Sequence, residues 1–180
     1  TVVTPMATGT ILNDESSLSV SNATATEGSD DYRFIDTFVQ REAGGFKAAS
    51  GLIYGPEGEL WLSSNMPAAM LSYDAATGDF LDRIDSAADS DYRWYRGMRF
   101  GPDGGLYLAS TKTNQVLRMD EVTGDVSIFV DSQSGDLENP QDLLFGDDGN
   151  LYVSSASNEV LRYQGPGGAS PGAFVDAFVT

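Results

Sequence analysis

Short apolar segments alternate with turns rich in glycine, proline and aspartate along most of this chain. In the middle of the chain the segments are Gly97–Phe100, Leu106–Ser110, Val116–Met119 and Val126–Val130. Segments of this length between turn residues are typical of β-strands. Nearly every position inside them is apolar, as in Leu151-Tyr152-Val153, which favours sheets that are buried on both faces. The pattern predicts an all-β protein.

The segments belong to a repeat. Gly55–Ser64, Gly101–Ser110 and Gly146–Ser155 have closely similar sequences and begin about 46 and 45 residues apart. A period near 45 residues with four short strands per copy indicates β-propeller blades. We therefore expect three four-stranded blades of about 46 residues each. A closed propeller has about four to eight blades, so three do not make a ring.

Aromatic residues recur at two positions of the repeat. Because they recur in every copy, we expect them to pack between neighbouring blades rather than to stack on a ligand. One position is held by Trp61, Tyr107 and Tyr152, and the other by Tyr54, Phe100 and Phe145.

The chain divides into two parts, residues 1–30 and residues 31–180. The second part opens with Phe34–Val39, which nearly duplicates Phe174–Val179 and is expected to form an additional outer strand. Its three companion strands would lie in another chain or in another part of the natural protein, because an unpaired apolar strand is a template for association. The residues expected to mediate assembly are Phe34, Ile35, Phe38, Val39, Leu18 and Val20.

The blades carry a family resemblance. Phe100–Ser110 followed by Asn114–Arg118, and the corresponding residues of the third copy, resemble the NHL-type propellers of exported bacterial proteins. The resemblance implies an extracellular or cell-surface location, and the chain starts at Thr1, as expected for a piece of a longer precursor. In residues 1–30, an extended arm or linker, Ala7–Asp14 and Ser17–Gly28 resemble strands of a Calx-β sandwich. The body of that sandwich is missing, so its calcium site is not carried over.

Charge and composition exclude several functions. The net charge is −17, from 27 acidic and 10 basic residues, which disfavours binding to nucleic acids and to anionic membranes. The chain has no histidine and no cysteine, which removes the Ser-His-Asp triad and most zinc sites. No apolar run is long enough to predict a membrane span. The acidic surface fits either a salty medium or Ca²⁺ binding, and charge does not separate the two.

Two sets of residues are candidates for binding. Oxygen ligands suited to Ca²⁺, the one cofactor we expect, lie in the connections between blades. They are Asp85, Asp89, Asp91, Asp131, Asp136 and Glu138, with Asn139 and Asp142 nearby. An aromatic and basic stretch favours recognition of a ligand or a protein. It contains Tyr92, Trp94 and Tyr95 together with Arg93 and Arg96.

Three functions remain open. We expect a non-enzymatic, secreted or surface module with a structural or adhesive role, which assembles head-to-tail with other copies, or with the rest of a longer propeller, and could form a filament. The alternative is a ligand- or protein-binding module within a larger closed propeller. Third comes a Ca²⁺-dependent hydrolase, because six-bladed relatives of NHL-type propellers include lactonases that hold a divalent ion at the channel mouth.

Overall fold

A computed structural model of the protein describes residues 37–40, 43–65, 68–85 and 94–180. Contacts between residues define a compact unit from Thr37 to Thr180. This unit holds three four-stranded antiparallel sheets, and in each sheet the strands lie side by side in chain order. The described residues are thus all-β, as predicted, and the sheets are β-propeller blades. Among them no helix is long and apolar enough to cross a membrane.

The strands of the three blades follow the sequence repeat. The first blade contains β1 (Ala49–Tyr54), β2 (Glu59–Asn65), β3 (Ala68–Asp74) and β4 (Phe80–Asp85). The second contains β5 (Tyr95–Phe100), β6 (Leu106–Ser110), β7 (Gln115–Met119) and β8 (Val126–Val130). The third contains β9 (Asp142–Phe145), β10 (Leu151–Ser155), β11 (Glu159–Tyr163) and β12 (Phe174–Val179). Two 3₁₀ turns, Ala43–Gly45 and Ser134–Asp136, precede the first and third blades.

Apolar clusters lie between consecutive blades. Trp61 and Met70 of the first blade pack with Met98, Leu108 and Leu117 of the second. A similar cluster joins the second blade to the third, and a further one covers the opposite face of the first blade. The middle strands of the first and second blades therefore contribute buried residues to both of their faces, which explains why their sequences do not alternate. In the third blade, β10 alternates between buried and partly buried residues.

The recurring aromatic residues pair across these clusters as expected. The rings of Trp61 and Phe100 meet edge to face with their centroids 6.0 Å apart, and those of Tyr107 and Phe145 do so at 4.9 Å. Each pair joins the second strand of one blade to the first strand of the next. Buried pairs in this geometry contribute about 0.5–1.5 kcal/mol beyond the area that they bury.

The predicted outer strand at Phe34–Val39 is only partly within the described residues. Its described part lies in Thr37–Gln40, a bend without strand pairing, while Phe34 and Ile35 lie outside the described residues, so the outer strand stays a prediction. Within this bend, Val39 is partly buried and packs on the first blade.

Thr37–Gln40 nevertheless occupies the place where an outer strand ends in the other blades. The glycine of each last hairpin lies against a residue at the end of the strand that precedes its blade. The three contacts are Gly78 with Phe38, Gly124 with Ile84, and Gly172 with Phe129. Ile84 and Phe129 end the outer strands β4 and β8. Phe38 is therefore positioned like the end of the outer strand of a blade that would precede β1.

The segment after Phe38 repeats a second feature of a blade connection. The Tyr73 hydroxyl donates to the Ala43 carbonyl at 2.8 Å, and the Tyr163 hydroxyl donates to the Ser134 carbonyl at 2.9 Å. Both carbonyls lie in the 3₁₀ turn that precedes the blade. The first and third blades are thus fastened to the chain before them in the same way.

Candidate functional site

The innermost strands of the three blades form the wall of a groove with a volume of about 670 Å³. Its walls come from the first halves of β1 and β5, from the start of β9, and from the residues next to them. The polar and aromatic residues that line it are Ser50, Asn65, Trp94, Arg96, Arg99, Gln141 and Asp142. A groove of this size is large enough for a small molecule, and its many polar and charged side chains favour a polar ligand.

Two glycines bring the walls together. A Cβ atom on Gly97 would overlap the carboxylate and the Cα atom of Asp142. One on Gly51 would lie 2.7 Å from the Arg96 carbonyl oxygen. Real Cβ atoms do not approach this closely, so both positions need glycine for adjacent inner strands to pack.

Trp94 stands at the groove in a strained backbone conformation. Its φ is 86°, which is rare for a bulky residue, and its side chain is 51% exposed. The conformation is held because the Thr111 backbone N–H and hydroxyl both donate to the Trp94 carbonyl, at 3.2 and 3.0 Å. Strain of this kind costs on the order of 1–3 kcal/mol and concentrates at functional sites.

Two of the chain's few basic residues face the same groove. Arg99 forms a loose ion pair with Asp142 at 3.7 Å and donates to the Met98 carbonyl at 3.1 Å. Arg96 is exposed and makes no hydrogen bond or ion pair with any described residue. The groove therefore has an unneutralised positive charge in a strongly acidic protein.

The outer face of the third blade is apolar and exposed. Tyr152, Val160, Phe178, Val179 and Leu144 line a depression of about 490 Å³, and the Leu144 side chain is 53% exposed. Tyr152 occupies the repeat position of Trp61 and Tyr107, but no aromatic residue of a following blade packs on it among the described residues.

The opposite end of the stack shows the complementary pattern. Leu52 is 59% exposed and Tyr54 is 72% exposed, at the positions where Met98 and Phe100 of the second blade pack on the first blade. Among the described residues, Tyr54 is thus the first-strand aromatic, and Tyr152 the second-strand aromatic, that has no aromatic partner in a neighbouring blade. We refer to Leu52 and Tyr54 as the leading face, and to Leu144, Tyr152, Val160, Phe178 and Val179 as the trailing face.

A polar network supports the repeated tyrosine in the second blade. The Tyr107 hydroxyl lies 3.2 Å from both carboxylate oxygens of Asp103, and the Arg118 Nε donates to the same carboxylate at 2.8 Å. Burial and the charge of Asp103 raise the pKa of Tyr107 to about 12. The hydroxyl therefore stays protonated and orients the ring that Phe145 contacts.

A similar network stands beside the trailing face. The Tyr152 hydroxyl donates to Asp148 at 2.9 Å, and Arg162 pairs with Asp176 at 2.5 Å. The Arg162 guanidinium also lies 5.5 Å from the Phe178 ring centroid. The aromatic residues of this face are thus held in place by polar partners on the same blade.

The predicted calcium ligands that the structure describes do not form a cluster. In the described part of the chain, no three acidic side chains form a group that could hold a metal ion. Asp85 pairs with Arg83 at 2.5 Å, while Asp131, Asp136 and Glu138 lie along one connection between blades. Asp89 and Asp91 lie outside the described residues. Calcium binding stays a prediction.

The residues of the predicted recognition stretch differ in their exposure. Tyr95 does not belong to an exposed surface, because its side chain is 1% exposed and packs between the first two blades. Trp94 lines the groove, and Tyr92 lies outside the described residues. Among the residues expected to mediate assembly, Phe38 is partly exposed and Val39 packs on the first blade, while Leu18 and Val20 lie outside.

Sequence reasoning missed Asn65, Arg99 and Gln141 as groove residues. Each lies at or near the end of a strand, and the repeat pattern does not indicate that its side chain faces a groove. The signal that was available is the spacing of Arg96 and Arg99 in a chain that has only 10 basic residues.

No protein-family model and no curated protein matches the chain. Among solved structures, the hydrazine synthase of Kuenenia stuttgartiensis is 16% identical with a TM-score of 0.57, over 82% of this chain and 39% of that one. The extracellular domain of a one-component system from B. thetaiotaomicron is 15% identical with a TM-score of 0.55, over 72% and 18%. A luciferin-regenerating enzyme is 14% identical with a TM-score of 0.54, over 71% and 45%.

These similarities show a shared fold. The chain spans less than half the length of each of these three structures. They include proteins named as enzymes and an extracellular domain, so the fold is compatible with both.

Proposed function

We propose that this chain is a non-enzymatic structural module that supplies three consecutive blades to a β-propeller assembly and joins further blades through its two end faces. The observation that carries the proposal is the unpaired state of Tyr54 and Tyr152. Their counterparts form the pairs Trp61–Phe100 and Tyr107–Phe145 inside the stack. A leading face placed on a trailing face would repeat the same contact.

The occupant of each end face is a propeller blade. The trailing face offers the apolar surface on which the first-strand aromatic of a following blade would pack, as Phe145 packs on Tyr107. The leading face offers that aromatic. Leaving the apolar side chains of the trailing face exposed to water costs free energy, and a patch of this kind is typical of an interaction surface.

The bend at Thr37–Gln40 supports a blade on the leading side. Phe38 lies against Gly78 as Ile84 and Phe129 lie against Gly124 and Gly172. The three strands that would complete that blade come from a neighbouring copy or from another part of the natural protein. Because Phe34–Val39 nearly duplicates Phe174–Val179, one of these segments could replace the other in strand exchange between copies.

An extracellular or cell-surface location fits this role. It rests on the resemblance to NHL-type propellers and on the fold shared with the extracellular domain from B. thetaiotaomicron. A structural role needs no catalytic group, and a chain without histidine lacks the commonest general base.

The proposal is tested by the association of the purified chain. We expect sedimentation velocity to show oligomers that disappear in Leu52→Glu and in Leu144→Glu, because a buried glutamate at either face would lack a partner. Val122→Glu is the matched control, since Val122 is 88% exposed on a turn away from both faces. A wild-type chain that stays monomeric at high concentration, or association that survives both substitutions, would contradict the proposal.

A further inference from the structure

We propose that the groove on the inner strands binds an acidic saccharide, that is, a hydroxylated sugar ring that carries a carboxylate. The groove shares Leu52 with the leading face, but the side chains that would contact the ligand, Trp94, Arg96 and Gln141, belong to neither end face. The groove offers three features: a cationic group, a flat exposed ring and unsatisfied polar groups. Each of them favours one part of such a ligand.

Arg96 selects the carboxylate. Its guanidinium is exposed, lines the groove and has no partner among the described residues. Arg99 lines the same wall, but Asp142 partly neutralises it from 3.7 Å. A planar guanidinium binds a carboxylate through two parallel hydrogen bonds, so Arg96 is the better partner for the anion.

Trp94 selects a flat ring. Its half-exposed indole stands at the groove, and its strained backbone is fixed by the two hydrogen bonds from Thr111. The carbon–hydrogen face of a pyranose is flat and apolar and packs well on an indole. The strained backbone and the half-exposed ring together favour a role for Trp94 in contact with a ligand.

Asn65 and Gln141 select hydroxyl groups. Asn65 lines the groove, and its Oδ1 is buried without a hydrogen-bond partner within the described part of the chain, so it accepts from a ligand hydroxyl once the side chain turns toward the groove. Gln141 also lines the groove. Its side-chain amide donates to the backbone carbonyl and to the Oδ1 of Asn139, at 2.8 and 3.1 Å, so its own side-chain oxygen is available to accept from a ligand. Carboxamides beside an aromatic ring suit a ligand with several hydroxyl groups.

The net charge of the protein opposes this ligand only at long range. At physiological salt the screening length is about 8 Å, so distant carboxylates contribute little while the contact with Arg96 persists. Among the described residues that line the groove, Asp142 is the one acidic side chain that the anion meets.

Trigalacturonate is a suitable probe, with its fully methyl-esterified form as the matched neutral ligand. Binding to the full chain is measured by titration calorimetry at physiological salt, and by the NMR shift of the Trp94 indole. We expect binding of the acid, about tenfold weaker binding of the ester, and about tenfold weaker binding of the acid to Arg96→Ala.

Lys47→Ala is the control for charge, because it removes one exposed positive charge that does not line the groove. We expect it to bind the acid as the wild type does. No binding of the acid would overturn the proposal. Equal binding of the ester, an unchanged affinity in Arg96→Ala, or an unshifted Trp94 indole would also overturn it. Because none of these readouts measures association, their failure is distinct from failure of the assembly proposal.

Discussion

Phe145 meets Tyr107 edge to face across the boundary between the second and third blades, with ring centroids 4.9 Å apart. Tyr152 lies at the same repeat position as Tyr107 one blade later, yet among the described aromatic residues its ring meets only Phe178 of its own blade, at 5.0 Å. Tyr107 is buried by the next blade, whereas Tyr152 lies on the exposed trailing face. This difference in surroundings leads to the first prediction.

Tyr107→Ala should destabilise the chain far more than Tyr152→Ala. Tyr107 is fully buried between blades, so we expect a loss of about 3–5 kcal/mol in the free energy of unfolding. Tyr152 is only partly buried, so we expect roughly 1 kcal/mol. Urea denaturation at a concentration below the onset of association measures both, and equal losses would show that the trailing face is already packed.

Gly97→Ala should destabilise the boundary between the second and third blades. The new Cβ would overlap Asp142, including its backbone, so relief requires the strands to separate, at a cost of about 1–3 kcal/mol. Gly167→Ala is the control, because no atom lies within 4 Å of its Cβ position. A melting temperature of Gly97→Ala that matches the control would mean that the inner strands are further apart than described.

Trp94→Gly should raise the free energy of unfolding by about 1 kcal/mol, because glycine adopts positive φ without strain. The same substitution should abolish the binding of trigalacturonate, since it removes the stacking surface. Urea denaturation and calorimetry on the same sample report the two effects. A less stable variant would indicate that the indole contributes packing, and that its position has a structural explanation.

Stability should fall at alkaline pH. Burial raises the pKa of Tyr107 to about 12 and also raises the pKa of Tyr163 and Tyr73, against about 10 in the unfolded chain. Between these values the folded chain holds more protons than the unfolded chain, so stability is complete below pH 10 and is lost as pH rises toward 12.

Tyr107→Phe isolates one of these groups. Its melting temperature should be lower than that of the wild type at pH 8, because Asp103 loses the hydroxyl, and should decline less steeply between pH 10 and 11.5. A decline as steep as that of the wild type would show that the Tyr107 hydroxyl does not titrate with folding.

The repeat made the blades predictable. A spacing of about 46 residues, turn residues at fixed offsets and recurring aromatics give the strands of the second blade to within two residues and the pairs across blade boundaries. These features are local, or repeat in register, so one copy informs the others.

The groove was only partly predictable. Tyr95 and Trp94 are neighbours in sequence and share the same chemistry, yet one is buried and the other is half-exposed. Their difference arises from the positive φ of Trp94, which turns the chain as β5 begins and which no side-chain pattern reveals. Likewise, Thr37–Val39 lies in a bend, although Phe34–Val39 nearly duplicates the strand Phe174–Val179 in sequence.

The central claim is that a leading face binds a trailing face. Mixing the Leu52→Glu and Leu144→Glu variants tests it most directly, because the first keeps only its trailing face and the second only its leading face. We predict that each variant sediments as a monomer alone and that the equimolar mixture forms a 1:1 complex. A mixture that stays monomeric, or a variant that forms dimers by itself, would contradict the head-to-tail arrangement.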